Sequence, residues 1–192
     1  TSTLCAKTGH PVKCLEMPIH QNKMQNSNSS IQVNWLKSEF PNVTSDEINL
    51  SNVFDQFIEL STDTSNELTN LALANTRARL RMLTLYYFST INRCLVAGTG
   101  NKVEDFGIGF YTKYGDGGVD ISPIADLLKS QVFELGNHLN IPKEILSATP
   151  TDGLWEDGRN DEDQIGASYD EIEWAMNQDL NNINSELNNR EK

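Results

Sequence analysis

The chain has 192 residues, 38% of them apolar and 22% charged, enough to bury one substantial core but hardly two, which predicts a single domain over residues 1–192. Fifteen basic against 27 acidic residues leave a formal charge of -12, which repels a phosphate backbone and disfavours a nucleic-acid partner. The longest apolar runs, such as LVAG at Leu95, fall far short of the ~20 residues a membrane-spanning helix requires, so no membrane is expected.

Cys5, Cys14 and Cys94 are few, odd in number and lack metal-ligand spacing, which predicts buried thiols in a reducing compartment and a cytoplasmic location. The sequons at Asn28 and Asn42 then read as unmodified polar surface. Leu4 and Cys5 followed by Gly9 predict the end of a helix with a glycine cap. Val12 to Met17 (VKCLEM), closed by Pro18, reads as a buried strand, and the polar stretch from Gln21 to Ser30 as a loop. Ile31, Trp35, Leu36 and Phe40 recur at helical spacing. Thr44 to Leu50 carries two signals: Thr44-x-x-Glu47 matches a capping box, whereas Ile48 and Leu50 alternate as in a strand, and the strand is favoured. Ser51 is placed to cap a helix bearing Val53, Phe54, Phe57 and Ile58, and Ser65 to cap a long one reaching Asn92.

Cys94 to Ala97 predicts a further buried strand, the region through Val119 a loop, and Ser122-Pro123 the start of a helix with Ile124, Leu127, Leu128 and Val132 on one face. TDGLWEDGRNDEDQ, beyond Pro150, reads as a mobile acidic loop. Ser168-x-x-Glu171 is a capping box for a helix through Met176, and Leu180, Ile183 and Leu187 keep helical spacing near the Asn-rich end. Continuous apolar strands alternating with helices imply an α/β, Rossmann-like fold, a parallel sheet with helices on both faces.

Chemistry concentrates in LVAGTGNKVEDFGIGFYTKYGDGGVDISPIADLLK, Leu95 to Lys129. Gly98-Thr99-Gly100 follows a predicted strand, where open α/β sheets bind ligands. Neither a GxGxxG fingerprint nor a GxxxxGK[ST] loop is present. Gly115, Gly117 and Gly118 let a backbone pass close to a substrate, although turn-making explains such glycines equally well. On pattern alone Glu104 reads as a solvated loop charge, Lys129 as the wet face of a helix, Thr151 as a loop threonine, and Arg77, Arg79 and Arg81 as surface charges.

LANTRARLRM, GTGNKVEDF, FYTKYGDGGVDISPIADLLK and TPTDGLWED, in this order, closely resemble the ammonia-dependent NAD synthetases, which have an ATP pyrophosphatase fold. The resemblance implies ATP-dependent amidation of deamido-NAD. The nicotinate carboxylate attacks the α-phosphorus of ATP, pyrophosphate leaves, and ammonia displaces AMP from the adenylated intermediate. Such chemistry is mostly positioning and charge neutralisation. By resemblance Thr99, Lys129 and Thr151 contact ATP, Glu104 is a Mg2+ ligand, and Arg79, Lys113 and Asp120 contact deamido-NAD. Asp116 would hold the incoming ammonium, with Asp120 beside it in the catalytic set. His10, His20 and His138 match none of these motifs. A homodimer is also implied, with Leu71, Leu80, Leu83, Tyr86 and Tyr87 of the long helix offering apolar surface for it.

The family also carries an SGGxDS loop that cradles pyrophosphate and a His-Lys pair further on, and neither occurs in these 192 residues. The expectation is a chain that lacks the N-terminal phosphate loop and the C-terminal end of the enzyme. Two alternatives stand beside the synthetase reading. Another ATP pyrophosphatase amidotransferase module would share the fold but not KYGDGGVD, and a non-catalytic nucleotide-binding protein is favoured only by the missing loop.

Overall fold

Val12–Glu16 (β1) and Val43–Glu47 (β2) run parallel, in register from Val12 opposite Val43 to Glu16 opposite Glu47. This computed structural model describes residues 1–21, 23–60, 66–155 and 159–178, and only the backbone of residues 23–26. Around the strands lie helices α1 (Ser2–Lys7), α2 (Lys23–Glu39), α3 (Ser51–Glu59), α4 (Glu67–Asn92), α5 (Lys129–His138), α6 (Lys143–Leu146), α7 (Asp161–Ile165) and α8 (Tyr169–Met176), with a wide π-helical turn at Lys102–Ile108. The architecture is α/β with a parallel sheet and helices, as the alternating order predicts.

Three apolar clusters join these elements. Ala6, Leu36 and Val43 pack with Val12, Cys14, Trp35 and Phe40, seating α1 and α2 on the strands. Ile19, Leu50, Phe54 and Leu80 pack with Met17, Ile48, Ile58 and Leu73 and tie α3 to α4. Val103, Tyr169 and Ile172 pack with Leu128, Ile165, Ala167 and Met176, so α8 closes over the π-helical turn and the start of α5. Burying one such large side chain stabilises by roughly 1.5–3 kcal/mol.

Several expectations need correction. The polar stretch before Ile31 is helical from Lys23 onward, because Glu16 accepts hydrogen bonds from the Ser29 and Ser30 hydroxyls and holds that turn against β1. Local polarity could not reveal a partner thirteen residues away. Cys94 to Ala97 is no full strand: Ala97 makes one parallel bridge to Ile121, while Cys94 and Leu95 are exposed and only Val96 and Gly98 are buried. The reason is local. Arg93 ends α4 in the left-handed conformation, and the Val96 N–H donates to the Asp120 carboxylate and not to a neighbouring strand. The three cysteines are free as predicted, but Cys5 and Cys14 are only half-buried and Cys94 is exposed.

Helix starts also move. Asn49, not Ser51, accepts the N–H at the start of α3, and Ser51 Oγ accepts the His20 N–H. Asn66 caps α4, while Ser65 lies outside the described residues. After Ser122-Pro123 the chain makes turns, and α5 begins only at Lys129. The acidic loop contains α7, capped reciprocally by Asn160 and Asp163. The Ser168–Glu171 capping box forms as predicted. Leu180, Ile183 and Leu187 lie outside the described residues.

Candidate functional site

A pocket of about 690 Å³ opens between α4, the loop after Ala97, the π-helical turn and the segment from Pro150 to Trp155. Thr99, Glu104, Asp116, Lys129 and Thr151 all line it, together with Asp105, Asp152 and Asp161. Arg79, Lys113 and Asp120 do not. All three are exposed. Arg79 Nε donates to the Lys113 carbonyl, and Lys113 Nζ sits over the Tyr114 ring. Both carboxylate oxygens of Asp120 are used within the chain, one by the Tyr86 hydroxyl and the other by the Val96 N–H.

Each lining group has a local cause. The Asn101 side chain is buried and accepts from the N–H groups of Val103 and Glu104, which starts the π-helical turn and turns Glu104 inward. Lys129 is the first residue of α5, so it leaves the helix at its mouth. The carboxylate of Glu173, on α8, accepts from both the N–H and the hydroxyl of Ser130 and so completes that helix start. Lys129 Nζ lies 2.6 Å from Glu104 Oε1, and the Tyr169 hydroxyl donates to the same oxygen at 2.6 Å. Tyr169 also reaches Asp161 Oδ2 at 3.1 Å, and Lys129 Nζ lies 4.7 Å from the Tyr169 ring centroid.

The electrostatics follow from this crowding. Burial acts to raise the Glu104 carboxyl, but hydrogen bonds from Lys129 and Tyr169 outweigh it and hold the group below the usual range. Asp105 lacks such donors, and burial with the nearby charges of Asp116 and Glu104 pushes it up to about 6. Asp116 is exposed as a residue yet lines the pocket, and partial desolvation there raises its carboxyl despite the Thr112 N–H it accepts at 2.9 Å. Asp161 is likewise raised by burial, and its Oδ1 is buried with no hydrogen-bond partner among the described residues.

Backbone approach matters at Gly115. A Cβ there would meet the Ala78 Cβ at 2.9 Å, so only glycine lets the KYGDGG loop lie against α4. Thr112 ties the same loop to α4 through Asn75, its hydroxyl donating to the amide oxygen at 2.7 Å.

Sequence reasoning passed over Asp161, Tyr169, Arg77, Arg81 and Gln21. Arg77 lies 4.4 Å from the Phe54 ring centroid and donates to the Leu154 carbonyl. Arg81 donates to the Met17 carbonyl and to Gln21, whose amide donates to the Gly153 carbonyl. The three thus orient the Thr151–Trp155 wall. No local pattern marks them, because the bonds from Arg77 to Leu154, Arg81 to Met17 and Gln21, and Gln21 to Gly153 each span 60 or more residues.

The sequence profile of the NAD synthase family matches residues 1–192. The chain belongs to the NAD synthase family. It is 44% identical over 127 residues to the NH(3)-dependent NAD(+) synthetase of Carboxydothermus hydrogenoformans, covering 66% of this chain and 51% of that protein. The synthetase of the same description from Mesoplasma florum is 40% identical over 138 residues, covering 72% of this chain and 56% of that protein. This NAD synthase family chain therefore spans about half the length of the curated relatives it matches. Among solved structures, NMN synthetase from Francisella tularensis superposes with a TM-score of 0.81 at 33% identity, covering 93% of this chain and 72% of that one. An NH3-dependent NAD synthetase from Campylobacter jejuni, in complex with nitrate, gives 0.66 at 25% identity, covering 91% and 67%.

The donor set suits the magnesium that this family implies. Among the described residues no cluster of three or more acidic, histidine or cysteine ligands stands ready. Mg2+ takes one or two carboxylates and completes its shell with phosphate and water, and Glu104 and Asp161, whose Oδ1 lacks a partner among the described residues, could offer it two hard oxygens.

Proposed function

We propose that the protein carrying this chain amidates deamido-NAD with ammonia at the expense of ATP, releasing NAD, AMP and pyrophosphate. The supporting observation is one pocket lined by Thr99, Glu104, Asp116, Lys129 and Thr151 in a chain of the NAD synthase family. Thr99 and Thr151 are assigned to ATP and Lys129 to its phosphates, while Arg79, Lys113 and Asp120 serve the deamido-NAD side. Glu104 and Asp161 would hold magnesium, which would supply charge neutralisation for the phosphates.

In the first step a nicotinate carboxylate oxygen bonds to the α-phosphorus and the bond to pyrophosphate breaks. In the second, ammonia bonds to the carbonyl carbon, the bond to AMP breaks, and the nitrogen loses a proton. We assign Asp116, which lines the pocket, to attract the ammonium and take that proton. Asp120 acts by holding Val96, and with it the Gly98–Gly100 loop, in place. We also assign a homodimer and a cytoplasmic location; among the described residues no helix is long and apolar enough to cross a membrane.

A second reading follows from the Francisella structure, whose name makes NMN the product. Both are tested together by incubating the protein with ATP, Mg2+, ammonium and either deamido-NAD or nicotinate mononucleotide, then measuring pyrophosphate and amide. Pyrophosphate release that needs deamido-NAD supports the first reading, and release that needs the mononucleotide supports the second. Release with neither, or none at all, overturns both.

A further inference from the structure

We propose that Tyr169 is a positioning residue for the phosphate and metal side of the pocket: its hydroxyl holds Glu104 beside Asp161 while its ring carries the Lys129 ammonium. The inference rests on the proposed function and goes beyond it, since it concerns a side chain 65 residues from Glu104 in sequence and on a different helix.

The geometry is restrictive. A phenol has one proton to donate, yet Tyr169 stands 2.6 Å from Glu104 Oε1 and 3.1 Å from Asp161 Oδ2. The shorter contact takes the proton, which leaves Asp161 Oδ2 without it, and Asp161 Oδ1 separately has no hydrogen-bond partner among the described residues. Lys129 shares Glu104 Oε1 with that proton. For Lys129 to turn to a phosphate it must leave this oxygen. Tyr169 then stays bonded to Glu104, as does the Asn101 side chain, and the Tyr169 ring gives the departing ammonium a second, π-face contact.

The support behind Tyr169 is rigid. It is buried against Val103 and Ile172, its N–H donates to Glu162, and it begins the helix that Ser168 caps. The same helix supplies Glu173 to Ser130, next to Lys129. One short helix therefore fixes both members of the Glu104–Lys129 pair. Groups that orient metal ligands in this way commonly change metal affinity by about 10–100-fold when removed.

The test uses the protein made from its whole reading frame. Mn2+ binding is followed by electron paramagnetic resonance with α,β-methylene ATP, which permits no turnover. Tyr169→Phe keeps the ring and should weaken Mn2+ about tenfold while metal-free binding of the analogue stays within about twofold. Tyr169→Leu should weaken both, because the ring contact to Lys129 goes as well. Thermal melting of Tyr169→Phe within a few degrees of wild type would separate positioning from unfolding. Equal Mn2+ affinities for wild type and Tyr169→Phe overturn this inference alone. A wild type that binds Mn2+ with the analogue but amidates neither substrate overturns the proposed function and leaves the positioning role supported.

Discussion

Glu104 and Lys129 form one ion pair at 2.6 Å, both side chains about 15% exposed, although the family resemblance gives one to magnesium and the other to ATP. Each holds the other until phosphates compete. Glu104→Gln should lower the adenylation rate by a hundred- to thousandfold, since losing one preorganised partner of a transition state costs on the order of 2.7–4 kcal/mol. The magnesium requirement should rise, and deamido-NAD affinity should not change. Normal turnover at limiting magnesium, measured by steady-state pyrophosphate release, would return Glu104 to an ordinary loop acid.

Lys113→Met should behave differently in kind. Lys113 lies outside the pocket lining and its charge is exposed beside Tyr114. Its loss should raise the KM for deamido-NAD by about tenfold or more and leave ATP affinity, read by calorimetry, nearly intact. A matching loss of ATP affinity would show that the two halves are not separate.

Asp116 gives a pH prediction with a definite sign. Its folded carboxyl titrates above the unfolded value of 3.8, so folding favours the protonated acid. The stability it contributes is present at low pH and is lost as pH rises through the folded value. Asp116→Asn should accept the Thr112 N–H as before and remain neutral, so urea midpoints measured from about pH 4 to about pH 8 should fall less steeply than in wild type. Activity should drop at the same time. A variant that is less stable than wild type at neutral pH would contradict the assignment.

Phe54 links stability to the site. It is 0% exposed, and the Arg77 guanidinium that stacks on it also holds the Leu154 carbonyl. Phe54→Ala should cost about 3–5 kcal/mol in chemical denaturation. It should also increase hydrogen exchange at Leu154 and Trp155 beyond the change in global stability. Exchange there that tracks global stability alone would uncouple the core from the pocket wall.

For assembly, α4 exposes Leu83 at 62% and Tyr87 at 63%, one turn apart, with Ile91 continuing the row. Leu80, which the sequence pattern placed with them, belongs to the core under α3. Sedimentation at micromolar concentration should give a dimer, and Leu83→Asp with Tyr87→Asp should shift it to monomer without loss of helicity. A wild-type monomer would remove the dimer.

Sequence alone determined that strands and helices alternate and where the Ser168 capping box forms, because each depends on spacing within a few residues. The motif from Gly98 to Lys129 was likewise legible as a unit. Tertiary structure alone decided that Thr99, Glu104, Asp116, Lys129 and Thr151 meet in one pocket while Arg79, Lys113 and Asp120 stay outside its lining. It also decided that residues 23–30 are helical, through Glu16, and that Cys94 and Leu95 stay exposed while Asp120 takes the Val96 N–H. Tyr169, Arg77 and Gln21 each reach one partner more than 60 residues distant, and no local period records such a contact. The physical reason is that side-chain hydrogen bonds and ion pairs depend on distance in space, whereas periodicity and capping depend on distance along the chain.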